Sequence, residues 1–264
     1  MVQQHAMSYS KLDHPRALSC IFHPRRDVAS GPPQDAVDHD IAVDAGVAIG
    51  CRFYLTDRTC PHILFFHGNG EIVSDYDDVG PLYNGFGLSL LAVDYRGYGR
   101  SNGTPTVSSM IQDSHVLFHQ VRAWLRQHNR HGPLIVMGRS LGSASAFELA
   151  ACYGDEIDGL IIESGFAHTV PLLQFLGADT QTLSITEEDC FRHTDKIVRC
   201  EKPTLFIHAQ HDQFIPAADA EALFRLSPAH NKDLKIIEGA DHNTLLMMAG
   251  TAYFEAIRSF AMTI

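Results

Sequence analysis

The chain has 264 residues, of which 45% are hydrophobic and 19% charged, a composition typical of one large globular domain. Its formal net charge is -11 and it contains no long basic run, so it would repel a phosphate backbone, and nucleic acid is not an expected partner. It also contains no apolar leader, no apolar run long enough to cross a bilayer, and no C-x-x-C pair among its six cysteines. We therefore expect a cytoplasmic protein with reduced thiols and no membrane anchor.

The first 38 residues are polar and predict an irregular N-terminal arm (residues 1–38) with one short strand around residues 18–22. The sequence indicates little function for this arm and does not define its role. From Ile41 the pattern changes, and residues 41–43 and 47–55 predict two strands joined by a turn at residues 44–46. The chain therefore enters its main sheet through an antiparallel pair.

Short apolar runs then alternate with longer segments of helical periodicity, the pattern of repeated βαβ units in a parallel sheet. The predicted strands are residues 63–66, 88–93, 134–137, 160–162, 204–207 and 234–237. The predicted helices are residues 76–83, 110–128, 143–153, 217–226 and 243–260. We expect one α/β domain over residues 1–264, with a mostly parallel sheet of about eight strands flanked by helices. Residues 166–200 contain no single long helix and predict a small cap insertion.

Two copies of the pentapeptide G-x-S-x-G occur, centred on Ser101 and Ser140. A nucleophile elbow requires a strand directly before the serine and a helix directly after it. Ser140 meets this requirement, because the apolar run 134–137 precedes it and the helical run 143–150 follows it. Ser101 lies among glycines and a proline, which predict a structural loop. Ser140 is therefore the candidate nucleophile.

A serine nucleophile needs an imidazole as base and a carboxylate that orients the imidazole, in the chain order serine, acid, histidine. Asp212 follows the predicted strand 204–207, and His242 follows the last predicted strand. We predict Asp212 as the acid and His242 as the base. Glu163, at the end of the strand before, is an alternative acid, and Asp241 is a weaker one.

The oxyanion of the reaction needs two N–H donors, and the first is expected to be the amide of Leu141, the residue after the nucleophile. The second should come from the loop His67-Gly68-Asn69-Gly70, and we predict the amide of Asn69, with Gly70 next and also near the substrate. Apolar residues of the cap are predicted to line an acyl pocket, although packing explains them equally well: Phe166, Leu172, Leu173, Phe175 and Leu176.

Two other features were considered as sites. His115 and His119 lie four residues apart on a predicted helix, but no third ligand accompanies them in the sequence, so a solvated helix face is the favoured interpretation and no metal or other cofactor is expected. Arg139 precedes the candidate nucleophile and could bind an anionic substrate group, and a structural salt bridge is an equally good interpretation.

Together these motifs resemble the α/β-hydrolase superfamily, and the runs 65–70 and 94–101 resemble its small serine-hydrolase branch of the bud-emergence type. The likeness covers about residues 41–264 and implies an esterase-like or thioesterase-like enzyme. Relatives in that branch often carry a membrane anchor or an N-terminal cysteine cluster, which this sequence does not show, so a soluble small-molecule acyl substrate is expected.

We therefore predict a serine hydrolase that cleaves a carboxylic ester, or a related thioester, amide or lactone, through Ser140, His242 and Asp212 and an acyl-enzyme. The alternative is a non-catalytic binding or scaffold protein with the same fold. The sequence makes no prediction of the oligomeric state.

Overall fold

An eight-stranded sheet runs through the protein, whose computed structural model describes residues 8–28 and 31–264. The strands are β1 (Ala36–Asp44), β2 (Val47–Tyr54), β3 (His62–Phe66), β4 (Ser89–Val93), β5 (Leu134–Arg139), β6 (Gly159–Glu163), β7 (Thr204–Ala209) and β8 (Lys232–Ile237). Their spatial order is β1-β2-β4-β3-β5-β6-β7-β8. β2 pairs antiparallel with β1 and β4, and the other neighbouring strands pair in parallel. The predicted fold class is confirmed.

Helices flank this sheet on both faces. They are α1 (Pro15–Ile21), α2 (Gly80–Gly85), α3 (Val107–Gln127), α4 (Ser143–Tyr153), α5 (Thr169–Phe175), α6 (His193–Ile197), α7 (Ala217–Leu226), α8 (Leu245–Ala249) and α9 (Thr251–Ala261). α4 and α7 have the predicted bounds. α3 begins at Val107 rather than Met110, because the Thr106 side chain accepts a hydrogen bond from the Ser109 amide and caps the helix there.

Two apolar layers cover the two faces of the sheet. In β3, Leu64 and Phe66 belong to one layer and Ile63 and Phe65 to the other, because successive side chains of a strand point to opposite faces. All four are buried, as expected for a parallel strand covered by helices on both sides. The carboxyl ends of the parallel strands therefore meet at one edge of the sheet, where open α/β sheets place their ligand sites.

The N-terminal arm differs from its prediction. A strand was predicted around residues 18–22, and this is wrong, since helix α1 occupies Pro15–Ile21. Pro15 is at the first position of the helix, and the His14 side chain accepts a hydrogen bond from the Arg16 amide. Ala17 and Ile21, four residues apart, are both buried, which is a helical rather than a strand spacing.

Two further segments depart from regular crossover helices. Residues 166–200 contain only the short helices α5 and α6 and a 3-10 turn, and their role as a cap stays a prediction. The predicted C-terminal helix is divided into α8 and α9 at Gly250, whose φ of 54° and ψ of -132° belong to neither helix nor strand. The loop that precedes α8 carries His242.

Candidate active site

Ser140 stands at the turn between β5 and α4, with a φ of 51°, a left-handed value that residues with a side chain rarely adopt. The turn also approaches β3 closely, because a Cβ atom on Gly142 would lie 2.0 Å from the carbonyl oxygen of Phe66. Glycine is required there, and the strained backbone lifts the Ser140 hydroxyl above the edge of the sheet. The strand-turn-helix setting inferred from the sequence is present.

His242 and Asp212 form a hydrogen-bonded line with Ser140. The Nε2 atom of His242 lies 3.0 Å from the Ser140 Oγ, and its Nδ1 lies 2.6 Å from the Asp212 Oδ2. These partners assign the ring hydrogen to Nδ1, because the carboxylate can only accept, and they leave Nε2 as an acceptor for the serine hydroxyl. The structure therefore brings the three residues together in the geometry that an activated serine requires.

Asp212 is held as an ionised group. Its Oδ1 accepts hydrogen bonds from the amides of Phe214 and Ile215, at 3.0 and 2.8 Å, and its side chain is fully buried. Burial alone would raise the pKa of Asp212, but the hydrogen bond to His242, the charge of that imidazole and the Ile215 amide outweigh it and lower the pKa. The carboxylate can thus orient the imidazole and stabilise its protonated form.

The alternative acid, Glu163, makes other contacts. Its carboxylate lies 3.2 Å from Nε of Arg139 and accepts a hydrogen bond of 2.5 Å from the Tyr253 hydroxyl. Burial raises the pKa of Glu163 despite the neighbouring guanidinium. Asp241 accepts hydrogen bonds from the amides of Asn243 and Thr244. Asp212 is therefore the carboxylate that the structure joins to His242.

The loop that carries Asn69 is fixed by several side chains. The Glu71 carboxylate accepts the Gly68 amide at 2.8 Å, and the Tyr95 hydroxyl donates to the His67 carbonyl at 2.6 Å. Both Asn69 and Leu141 line the cavity that contains Ser140 and His242. Their backbone amides remain the candidate oxyanion donors, because they belong to the two loops that flank the nucleophile.

His67 holds the start of this loop in place. It is buried, its Nδ1 lies 2.8 Å from the Gly68 carbonyl oxygen, and its Nε2 lies 3.1 Å from Oδ1 of Asp94. Burial disfavours the charged ring, but the hydrogen bond and charge of Asp94 prevail and raise the pKa of His67. An imidazolium donates to both acceptors at once and so locks the start of the loop.

A cavity of about 260 Å³ opens at Ser140. Three of the predicted substrate residues, Phe166, Leu172 and Leu173, line it, as does Leu176. Together with Leu141 they make one side of the cavity apolar, which suits an acyl chain better than a charged group.

Two predicted substrate residues, Phe175 and Gly70, lie outside this lining, and their substrate role stays a prediction. Phe175 is 59% exposed, because residues 172, 173 and 176 share the inner face of α5 and Phe175 lies on the outer one. Its ring packs on Phe214 at 5.7 Å between centroids, and Phe214 does line the cavity. Gly70 is not among the residues that line the cavity, and its carbonyl accepts a hydrogen bond from Nε of Arg25.

Sequence reasoning missed several lining residues. Ile21 and His23 come from the N-terminal arm, for which the sequence indicated little function. Phe191 and Phe214 also line the cavity. Phe214 follows Asp212 by two residues, and this proximity to a candidate acid was a usable signal. The arm carried no comparable signal, because its position depends on contacts with distant loops.

Arg139 lies in a buried ionic cluster beside the nucleophile. Its Nε is 3.3 Å from the Glu71 carboxylate and 3.2 Å from that of Glu163, and its Nη2 donates to the His242 carbonyl at 3.1 Å. Burial opposes the charge of Arg139, yet the two carboxylates raise its pKa above the usual range. Of the two interpretations left open, the structural salt bridge is the one observed.

His115 and His119 both contact the Tyr153 hydroxyl, at 2.9 and 3.1 Å. Within the described residues, His115, Glu148 and Cys152 form a group whose possible ligand atoms lie within 4.8 Å of one another, and this group does not include His119. Lys196 already pairs with Glu148 at 2.7 Å. The cluster is thus held by hydrogen bonds and an ion pair among its own side chains.

Comparison with known proteins places this geometry in a family. The family model described as serine aminopeptidase, S33, a hydrolase family, matches residues 57–185. Protein bem46 of Schizosaccharomyces pombe is 27% identical over 207 residues, 76% of this chain and 67% of that protein. Human alpha/beta hydrolase domain-containing protein 17B is 29% identical over 224 residues, 81% of this chain and 71% of that protein. The chain is an α/β-hydrolase of the bem46 branch.

A further relative and a solved structure complete the comparison. An uncharacterized membrane protein of Saccharomyces cerevisiae is 26% identical over 180 residues, and the match spans 67% of this chain but only 62% of that protein. The Pyrococcus furiosus esterase Pf2001 shares the fold with a TM-score of 0.71 at 16% identity, over 91% of this chain and 96% of the esterase. As a member of this family the chain is a hydrolase. None of its described helices is both long and apolar enough to cross a bilayer.

Proposed function

We propose that this hydrolase cleaves a carboxylic ester, or a closely related acyl bond, with Ser140 as nucleophile, His242 as general base and acid, and Asp212 as the orienting carboxylate. The observation that carries the proposal is the unbroken line of hydrogen bonds from the Ser140 Oγ to the Asp212 Oδ2 through His242, at 3.0 and 2.6 Å. This line ends inside a cavity large enough for a small substrate.

The reaction begins when Nε2 of His242 takes the hydroxyl proton and the Ser140 oxygen bonds to the acyl carbon. The carbonyl oxygen becomes an oxyanion, for which the amides of Leu141 and Asn69 are the proposed donors. The imidazolium then protonates the leaving alcohol as its bond to carbon breaks, which leaves an acyl-enzyme. A water molecule, deprotonated by the same imidazole, releases the acid and restores the serine.

The ester bond is preferred over the amide bond for an electrostatic reason. An aminopeptidase, the activity named in the matching family's description, must bind the charged amino terminus of its substrate with a free anion. In the cavity the carboxylate of Glu71 is already paired with Arg139 at 3.3 Å, and the opposite side is apolar. A neutral acyl ester is bound there without an unpaired charge. The same argument makes a small-molecule substrate, rather than a polyanion, the proposed partner.

Labelling with a fluorophosphonate probe and turnover of p-nitrophenyl esters test the proposal. Ser140→Ala should abolish labelling and lower kcat by on the order of 10⁶. Ser101→Ala is the matched control, because Ser101 is the centre of the other G-x-S-x-G, is buried, and accepts the Gly50 amide at 2.9 Å. This variant should still be labelled.

Amide substrates such as aminoacyl p-nitroanilides form the comparison arm and should be cleaved far more slowly than esters. Labelling that persists in Ser140→Ala would refute the nucleophile. A folded wild-type protein that is neither labelled nor active would favour the scaffold alternative. Faster turnover of the anilides than of the esters would reassign the bond.

A further inference from the structure

The N-terminal arm forms part of the candidate substrate cavity. Ile21 is the last residue of α1, and His23 lies two residues further along the chain. Both line the same cavity as Ser140 and His242. Ile21 is only 4% exposed and belongs to the apolar layer on that side of the sheet. The arm therefore packs as an integral wall rather than as a loose extension.

The arm is attached to the loop that carries the proposed oxyanion donor. The Asn69 side chain accepts the His23 amide at 2.9 Å and the Tyr98 hydroxyl at 2.7 Å, and its Nδ2 lies 2.8 Å from Nδ1 of His23. Arg25 continues this attachment, because it donates to the Gly70 carbonyl and pairs with Asp75. The side chains of Asn69 and Arg25 thus fix the arm against the loop that carries the proposed oxyanion donor.

A second wall is apolar and comes from the segment between β6 and β7. Leu172 and Leu173 on α5 and Leu176 just after it line the cavity, and so do Phe166 and Phe191, with exposures of 1% and 2%. α1 packs against α5, so the arm and this wall meet. A substrate chain in the cavity is in contact with carbon atoms on both sides.

The charges of the lining select against a charged acyl group. Glu71 and Arg139 are the two strong charges there, and each neutralises the other, with Glu163 as a second partner of Arg139. Among the described lining residues, the guanidinium of Arg139 is already paired, and the nearby carboxylates would repel an anionic tail. A cationic tail would have to compete with Arg139 for Glu71.

The volume limits the length of the chain. A methylene group fills about the space of one water molecule in the liquid, roughly 30 Å³, so about 260 Å³ holds an ester group of three heavy atoms and a chain of about six carbon atoms. We infer that the N-terminal arm is the wall that sets acyl length, and that the cavity takes uncharged, medium-chain acyl groups. This inference rests on the proposed ester hydrolysis at Ser140.

A series of p-nitrophenyl esters from acetate to palmitate tests the inference on the full chain. In the wild type kcat/KM should rise about fourfold per methylene up to a chain of about six carbons and fall beyond it. Ile21→Phe should lower the ratio of octanoate to butyrate turnover by about fourfold, since the larger side chain removes space for about one methylene. Ile21→Ala should raise that ratio.

Two variants keep the test independent of folding. His23→Trp adds bulk at an exposed lining residue and should also shift the optimum toward shorter chains. Val28→Phe is the control on the same arm, since Val28 is 97% exposed and does not line the cavity, and its profile should match the wild type. Fluorophosphonate labelling counts the competent protein in every sample.

The possible outcomes separate this inference from the proposed function. An optimum at acetate or palmitate, or an unchanged length profile in labelled Ile21 and His23 variants, overturns the inference and leaves ester hydrolysis standing. A folded protein that is neither labelled nor active on any ester overturns both. A medium-chain optimum that moves with Ile21 and His23 but not with Val28 supports both.

Discussion

At the scale of single residues, Glu163 is the last residue of β6 and Asp212 lies in the loop after the neighbouring strand β7. Both carboxylates are buried, but their partners differ. Asp212 is joined to His242, whereas Glu163 is joined to Arg139 and Tyr253. We expect Asp212→Asn to lower kcat by on the order of 10⁴, because the amide can present its N–H to the ring and so favour the wrong tautomer. Glu163→Gln keeps that tautomer and should cost far less. Steady-state turnover of one ester by both variants measures the difference.

Equal losses in the two variants would contradict this assignment of the acid.

Among the single substitutions considered, we expect the largest loss of stability at Arg139. Its guanidinium sits between Glu71 and Glu163, so Arg139→Leu leaves buried carboxylates without their counter-charge. We expect a loss of about 3–5 kcal/mol in the free energy of unfolding, measured by urea denaturation. The control is Arg225→Leu, because Arg225 pairs with Glu221 on the surface with a side-chain exposure of 66%. Its cost should stay below about 1 kcal/mol. Similar losses for both would refute the buried role of Arg139.

At the scale of elements, the central strands and the longer helices could be predicted because their signal is local. β5 and β7 are short apolar runs between turn residues, and α4 and α7 are continuous segments of good helix formers. α1 was missed because its seven residues are too few for a clear period. Its helical form depends on the burial of Ala17 and Ile21 against the rest of the molecule.

The candidate site divides in the same way. Ser140, Asp212 and His242 were predictable because the fold fixes their order and the element that each one follows. Ile21 and His23 were not, because this part of the arm is held by a long-range hydrogen bond from the His23 amide to the Asn69 side chain. Sequence patterns record which face of an element is apolar, and they do not record which distant loop lies over it.

The break between α8 and α9 gives a prediction at this scale. Gly250 has a φ of 54° and a ψ of -132°, which residues with a Cβ atom avoid, although no atom lies within 4 Å of the position that this Cβ would take. Gly250→Ala should therefore cost about 1–3 kcal/mol of unfolding free energy from backbone strain alone.

Gly154 provides the matched control for this substitution. It also has open space around its Cβ position, but its φ of -48° and ψ of -42° are helical. Gly154→Ala should stabilise the protein by about 0.4–1 kcal/mol, because alanine has less conformational freedom to lose on folding. Thermal or urea denaturation of both variants decides the matter, and a loss in Gly154→Ala as large as that in Gly250→Ala would refute the strain argument.

At the scale of the whole molecule, the parallel sheet explains why residues so far apart in sequence meet. β3, β5, β7 and β8 run in the same direction, so the loops that bear Asn69, Ser140, Asp212 and His242 leave the sheet at one edge. The arm and α5 then close this edge from outside. Catalytic groups are thus fixed by the sheet, and the cavity wall by segments that the sheet does not specify.

The same dense packing buries histidines that take no part in the proposed reaction, and their burial makes the stability of the protein depend on pH. His193 is 1% exposed, its ring lies 4.3 Å from that of Phe166, and its Nδ1 donates to the Phe166 carbonyl at 2.7 Å. Burial, and then the charge of Lys196, lower the pKa of His193 to about 3. Burial likewise lowers the pKa of His62 to about 4.

The direction in which stability changes with pH follows from proton uptake on unfolding. Below about pH 6.5 an unfolded chain protonates these rings and the folded chain does not until about pH 3 to 4, so acid favours unfolding. Each ring should lower the unfolding free energy by up to about 1.4 kcal/mol per pH unit in this window. His67 behaves differently. Because its pKa is raised in the folded protein, its contribution to stability is present in acid and is lost only as the pH rises through the folded pKa.

Urea denaturation between pH 7 and pH 4 measures this slope. His193→Phe keeps an aromatic ring among Phe147 and Phe166 and removes the titrating group, so its slope should be smaller by up to one proton, whatever its absolute stability. His131→Phe changes an exposed histidine and should keep the wild-type slope. If His193→Phe and the wild type lose stability in parallel as the pH falls, then the buried ring of His193 does not stay neutral in the folded protein.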